Sequence, residues 1–96
     1  MTRSGVTLAA TVVASASQVS QTVEEEAVIL ELDQGTYYGL DPVGTRVWSL
    51  IQEPCTVADV CDAIVAEYDV ARERCEADVV GLLEQLAAKN LIEVQP

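Results

Sequence analysis

The side chains able to do chemistry in this 96-residue sequence are three cysteines, sixteen carboxylates and three tyrosines, with no histidine among them. Cys55, Cys61 and Cys75 are odd in number and lack Cys-x-x-Cys spacing. They therefore imply no disulfide framework and, without an imidazole, no zinc set. A nucleophilic cysteine needs a neighbouring base, and a Cys-His pair is impossible within the chain. Cys61 and Cys75 fall on apolar faces of helices and read as small buried hydrophobes of a reducing compartment. The carboxylates fall at exposed positions of helices and turns, not in a desolvated cleft; Asp33 reads as a turn residue and Asp41 as a helix cap. Gly35 and Gly39 make no phosphate loop, since neither Gly-x-Gly-x-x-Gly nor Gly-x4-Gly-Lys-Ser/Thr occurs. The expectation is a protein that is not an enzyme and holds no cofactor and no metal.

The group best placed to act is the main chain. Within Ala27–Trp48, Val28, Leu30 and Leu32 alternate with Ile29, Glu31 and Asp33, a period of two that predicts a strand with one face more polar. Asp33-Gln34-Gly35 supplies a turn, and Thr36-Tyr37-Tyr38-Gly39-Leu40 returns as the second strand of a hairpin. Asp41 can then cap a helix opening on Pro42, whose missing N–H has no intrahelical partner to lose. No obvious later strand pairs with Thr36–Leu40. A free edge of N–H and C=O groups is either protected or used, and its use is to dock a peptide as an additional strand. In meander order this edge lies outermost and the third helix can flank it, leaving a groove with backbone on one wall and side chains on the other. Tyr38 and Leu40 share the face assigned to the core. Tyr37 is freer, and reads equally as a half-buried strand aromatic and as a peptide contact. Val80, Leu83, Glu84 and Ala87 lie along one side of the third helix as groove candidates, Leu83 reading first as core on its apolar spacing.

The elements that must position this edge follow from local signals. Val43, Val47, Leu50 and Ile51 recur at helical spacing, predicting a first helix from Pro42 to about Gln52 that ends before Pro54. Thr56 with Asp59 three residues on resembles a capping box and opens a second helix reaching Tyr68. Cys75, Val79, Leu82, Leu83 and Leu86 mark a third from about Ala71 to Lys89, with Asn90 as a left-handed cap. Leu91–Val94 makes a short closing strand, and Gln18–Val23 a weak first strand before Glu24-Glu25-Glu26. Strands followed by three helices predict an α+β fold like a winged helix-turn-helix, with a small antiparallel sheet of about three strands. Residues 18–96 form one domain with an aliphatic core that buries roughly 60–65% of the unfolded surface, and residues 1–17 an extended arm. Arg3 and the run Val6–Ala14 superficially match a secretory signal, but the run is short, holds two threonines and follows a single positive charge. No run approaches the ~20 apolar residues of a membrane span, so a soluble, cytoplasmic protein is expected.

The formal net charge is −11, from sixteen acidic residues against five basic ones. Such a surface repels nucleic acid and anionic membranes and favours basic segments, and it serves solubility equally well. The alternative reading is a winged-helix DNA-binding or regulator-binding protein. Arg72, Arg74 and Lys89 of the third helix face Glu73, Glu76, Asp78 and Glu84, which leaves no basic stripe for phosphates.

Three stretches carry a family resemblance: Leu32–Trp48, Glu67–Val70 and Leu82–Ile92. Together, over about residues 18–94, they resemble the PqqD family, small peptide-binding chaperones also called RiPP recognition elements. The free-standing form, with Val43-Gly44-x-x-Val47-Trp48 in the first helix, is most similar to members accompanying lasso-peptide biosynthesis. The resemblance implies a protein that binds the leader segment of a ribosomally made precursor peptide and presents it to tailoring enzymes, a leader peptidase and a cyclase. It implies a docking strand of Thr36, Tyr37, Tyr38, Gly39 and Leu40, and a helical wall drawn from Glu76, Val79, Val80, Leu83, Glu84 and Ala87. Leu40, Gly44 and Trp48 match positions read as structural. Ala71 departs from the pattern, since relatives commonly carry an acidic or polar cap there, and the arm is poorly covered and either packs over the sheet or hinders the edge. A monomer and a homodimer are both compatible with an open edge.

Overall fold

The computed structural model describes residues 6–16 and 18–95. In chain order the elements are β1 (Thr11–Ala14), β2 (Gln18–Val23), β3 (Glu26–Glu31), β4 (Tyr37–Gly39), α1 (Pro42–Leu50), β5 (Cys55–Thr56), α2 (Val57–Glu67), α3 (Arg72–Ala88) and β6 (Ile92–Gln95). They form two antiparallel three-stranded sheets and three helices, an α+β fold.

One sheet is the expected meander, in the order β2-β3-β4, which puts β4 at an edge. Glu24 and Glu25 turn β2 into β3 with φ of 52° and 70°. Two consecutive left-handed residues match the twist of the flanking strands. On β3 the face carrying the carboxylate is the buried one: Ala27, Ile29 and Glu31 point inward, while Val28 is exposed and Leu30 half-buried. Glu31 is only 2% exposed because it organises the next turn, accepting the N–H groups of Asp33 at 3.1 Å and Gln34 at 2.7 Å. Gly35, at φ 71°, completes that turn in a conformation glycine adopts without strain.

The helices start where the capping residues place them. The Asp41 carboxylate accepts the Gly44 N–H at 2.7 Å with Pro42 at the first helical position. A β-carbon on Gly44 would lie 3.1 Å from that carboxylate and 3.3 Å from the Leu40 side chain, so the first turn of α1 closes directly onto the end of β4. α1 stops at Leu50, short of Gln52, and the Ile51 C=O accepts the Ala14 N–H at 2.8 Å. Thr56 caps α2 by accepting the Asp59 N–H at 3.1 Å. α3 has no side-chain cap at Ala71. Its other end is closed by backbone bonds: Asn90, at φ 61°, lets Leu91 N–H reach Leu86 C=O at 2.9 Å and Asn90 N–H reach Ala87 C=O at 3.1 Å.

The second sheet, β5-β1-β6, comes from the N-terminal arm, the link between α1 and α2, and the tail. β1 is its middle strand, pairing Thr11 and Val12 with Thr56 and Cys55 on one side, and Thr11–Ala14 with Gln95–Ile92 on the other. Val6, Ala10 and Val12 of the arm belong to the buried core with Trp48, Ile51, Val60, Leu83 and Leu86. Among the described residues, the arm's strand β1 pairs with β5 and β6 and not with β4. Residues 1–5, Arg3 of the signal-like reading included, lie outside the described residues. No helix among the described residues is long and apolar enough to cross a membrane.

Candidate functional site

Hydrogen-bond parity fixes which backbone groups of β4 are free. Glu31 N–H donates to Thr36 C=O at 2.9 Å, and Leu40 N–H donates to Ala27 C=O at 2.8 Å. With Ile29 opposite Tyr38 in the same register, Thr36, Tyr38 and Leu40 direct their peptide groups at β3. In an antiparallel ladder the alternate residues must point the other way. The N–H and C=O of Tyr37 and Gly39 therefore face outward, off the open edge.

Beside this edge lies a cleft of about 560 Å³. Its floor is apolar: Leu40 at the end of β4, Val43 and Val47 of α1, Ile64 of α2, and Cys75, Val79 and Leu82 of α3. Tyr68 and Val70, in the connection between α2 and α3, close one side, and Asp41 and Asp78 bring carboxylates to the lining. The Tyr38 hydroxyl donates to Gln85 Oε1 at 2.5 Å and ties the edge strand to α3. Strand backbone, an apolar hollow and a helix flank thus meet along one line. An extended segment could pair with Tyr37 and Gly39 there and turn alternate side chains into the hollow.

The thiol in this lining, Cys75, is turned into the core. Cys75 is buried against Cys61, its Sγ 3.8 Å from the Cys61 carbonyl, and burial pushes the Cys61 thiol up to about 11. Cys61, so far from ionising, is a poor nucleophile. Among the described residues no group of acidic or cysteine side chains could hold a metal ion.

The docking-strand residues sit together, with Tyr37 71% exposed, Tyr38 half-buried and Leu40 buried. The helical set is split. Val79 lines the cleft, whereas Leu83 is fully buried in the core, and Ala87 is half-buried against it. Glu76, Val80 and Glu84 line a different, shallow depression on the other flank of α3, together with Thr7 and Leu8. The flank that meets β4 carries Asp78, Leu82 and Gln85 instead. Leu82 stands three residues from Val79 and Gln85 three from Leu82, so spacing groups them on one side of α3, but it does not say that this side meets β4.

The cations of α3 are committed to carboxylates. Arg72 pairs with Asp62 and with Glu76 at 2.7 Å, and Arg74 pairs with Asp78 at 3.2 Å. On α1, Arg46 grips Glu67 with two bonds of 2.9 and 2.8 Å and holds that carboxyl below the usual glutamate range.

Comparison with solved structures finds the same architecture. TbiB1 in complex with the TbiA(beta) leader peptide matches with a TM-score of 0.79 and 44% identity, covering 84% of this chain and 94% of that one. A lasso peptide synthetase B1 complexed with the leader peptide shares the fold with a TM-score of 0.73 at 21% identity, covering 88% of this chain and 98% of that one. The comparison with curated proteins gives no match. The family model described as coenzyme PQQ synthesis protein D (PqqD) matches residues 26–92, spanning β3, β4, β5, all three helices and the first residue of β6. The chain belongs to the PqqD family.

Proposed function

We propose that this protein binds the leader segment of a ribosomally made precursor peptide as an added strand and presents it to tailoring enzymes, in the lasso pathway a leader peptidase and a cyclase. The observation that carries the reading is the pair of outward peptide units, Tyr37 and Gly39, alongside an apolar cleft walled by α3. Backbone pairing supplies affinity with little demand on sequence, and the cleft selects an apolar side chain every second residue. Two solved relatives of the same fold are complexes with a leader peptide. The protein itself is non-catalytic in this reading and works in the cytoplasm, where the precursor is made. DNA reading by α3 finds no support, because Arg72 and Arg74 are paired with carboxylates of the same chain.

The test is a titration with the TbiA(beta) leader peptide, which the 44%-identical relative TbiB1 binds, followed by N-methylation of its amides one at a time. Strand addition predicts that methylation at every second position abolishes binding while the alternate positions tolerate it, and that Tyr37 and Gly39 amides become protected from exchange. Uniform tolerance along the leader would overturn strand addition as the mode of binding.

A further inference from the structure

The meander has a second open edge, and its chemistry differs from that of β4. β2 lies at the other border of the sheet. Since Ala27, Ile29 and Glu31 turn their peptide groups toward β4, Val28 and Leu30 turn theirs toward β2, to Gln21 and Val19. The alternate residues Ser20 and Thr22 therefore direct their N–H and C=O off the sheet. Natural edges are blunted by lysine, proline or a bulge, and β2 has none of these; it carries no charge at all.

Residues 19–23 read Val-Ser-Gln-Thr-Val, a sequence whose chemistry is the same from either end about Gln21. We propose that two copies of this chain pair antiparallel through β2, related by a two-fold axis at Gln21. In that register Ser20 of each copy exchanges both backbone bonds with Thr22 of the other. On the outer face Val19 meets Val23, and Gln21 meets Gln21. The two valines are 53% and 57% exposed among the described residues of the single chain, so pairing removes apolar surface that those residues leave open.

A one-step slip of register sets outward groups against inward ones and loses the bonds. A two-step slip, centred on Ser20, keeps the bonds but sets Val19 against Gln21. The Gln21 register also separates the acids: Glu24 of one copy faces Gln18 of the other, and the two acidic turns lie at opposite ends of the contact. The product is a continuous six-stranded sheet with β4 at both outer borders. This isologous contact leaves both peptide edges open. Two chains each of net charge −11 repel at long range, so the dimer should strengthen with salt.

The test combines sedimentation equilibrium of the full chain with amide exchange followed by NMR. Mass should rise toward a dimer with concentration, and more steeply in about 0.5 M than in about 0.05 M salt. Ser20 and Thr22 amides should gain protection with it, while Tyr37 and Gly39 amides continue to exchange. The double variant Val19→Glu/Val23→Glu sets like charges opposite each other and should weaken the dimer about tenfold; Val19→Lys/Val23→Glu sets opposite charges together and should restore it. Both changes lie on an exposed face, and far-UV circular dichroism checks that the fold is kept. Leader affinity should be the same in all three proteins, which separates this contact from the β4 edge. A chain that stays monomeric up to about 1 mM in the higher salt, or self-association that protects Tyr37 and Gly39 in place of Ser20 and Thr22, would overturn the proposal.

Discussion

In the β5-β1-β6 sheet the middle strand is held on both sides, Val12 has no exposed surface, and the neighbouring Leu91 and Ile92 are buried. In the β2-β3-β4 sheet only one face is backed, Val19, Val23 and Val28 lie open, and both borders carry unpaired peptide groups. The sheets have the same strand number and the same antiparallel pairing. What separates them is what they expose: β1 ties the arm, the link between α1 and α2, and the tail together against the core, whereas the meander leaves an outer face open and sets its β4 edge beside the cleft. A protein of this size has little core to spare, so keeping the exposed apolar strand positions on one sheet preserves stability while leaving the β4 backbone beside the cleft available for recognition.

The sharpest way to break this contrast is the same substitution in each sheet. Val12→Asp places a carboxylate among apolar neighbours with no partner, and should cost more than about 3 kcal/mol, enough to unfold a marginal domain. Val28→Asp, on the open face of β3, should change stability by less than about 1 kcal/mol. Urea unfolding followed by Trp48 fluorescence measures both. Similar losses at the two sites would mean that the outer face of the meander is covered after all.

Tyr37→Pro probes the reserved edge alone. It removes an N–H that makes no bond to β3, so the ladder should survive with a small shift in melting temperature, while leader affinity falls by about tenfold or more. Isothermal titration and a thermal scan of one sample give both quantities. A variant that unfolds would show that Tyr37 N–H is needed within the sheet, contrary to the parity of Glu31 to Thr36 and Leu40 to Ala27.

The two flanks of α3 offer a finer version of the same contrast. Leu82 lines the cleft and Val80 the opposite depression, both half-buried. Leu82→Asp should weaken leader binding by about tenfold through lost apolar contact. Val80→Asp should leave it within about twofold. The reverse ranking would move the helical wall to the Glu76, Val80 and Glu84 flank.

That ambiguity shows what the amino-acid order encodes and what it leaves to packing. Asp41-Pro42, Thr56 with Asp59, and Asn90 are local signals, and each stands at the helix end it specifies. The Tyr37–Gly39 edge was legible for the same reason, since the hairpin is local and nothing after it alternates as a partner strand would. β1 was not: its partners stand more than 40 residues away at Cys55–Thr56 and about 80 away at Ile92–Gln95, and no short-range pattern records such pairing. Glu31 looked like a solvent-facing residue because its burial depends on the two turn amides it accepts. On α3, spacing marks the buried stripe through Cys75, Val79, Leu83 and Leu86. Which shoulder of that stripe meets β4 depends on how the helix crosses the sheet, and spacing alone does not carry that information.

The smallest effect concerns how the walls of the cleft are held to each other. Arg46 on α1 and Glu67 at the end of α2 form a two-bond ion pair beside Val47 and Tyr68, which belong to the cleft. Hydrogen bonding to Arg46 lowers the Glu67 pKa from its ordinary value of 4.5. The folded protein therefore keeps this carboxylate ionised at acidities where the unfolded chain has already protonated it. The pair contributes in full above that ordinary value, and its contribution fades as pH falls below it through the folded-state pKa. Because both groups are exposed, water and salt screen most of the attraction. Glu67→Gln should thus melt slightly below the parent protein near neutral pH, with the gap narrowing in acid and in high salt. Melting curves of the two proteins that run parallel down to strongly acidic pH would show that the pair ties α1 to α2 by packing alone, and that charge adds nothing to holding this side of the cleft open.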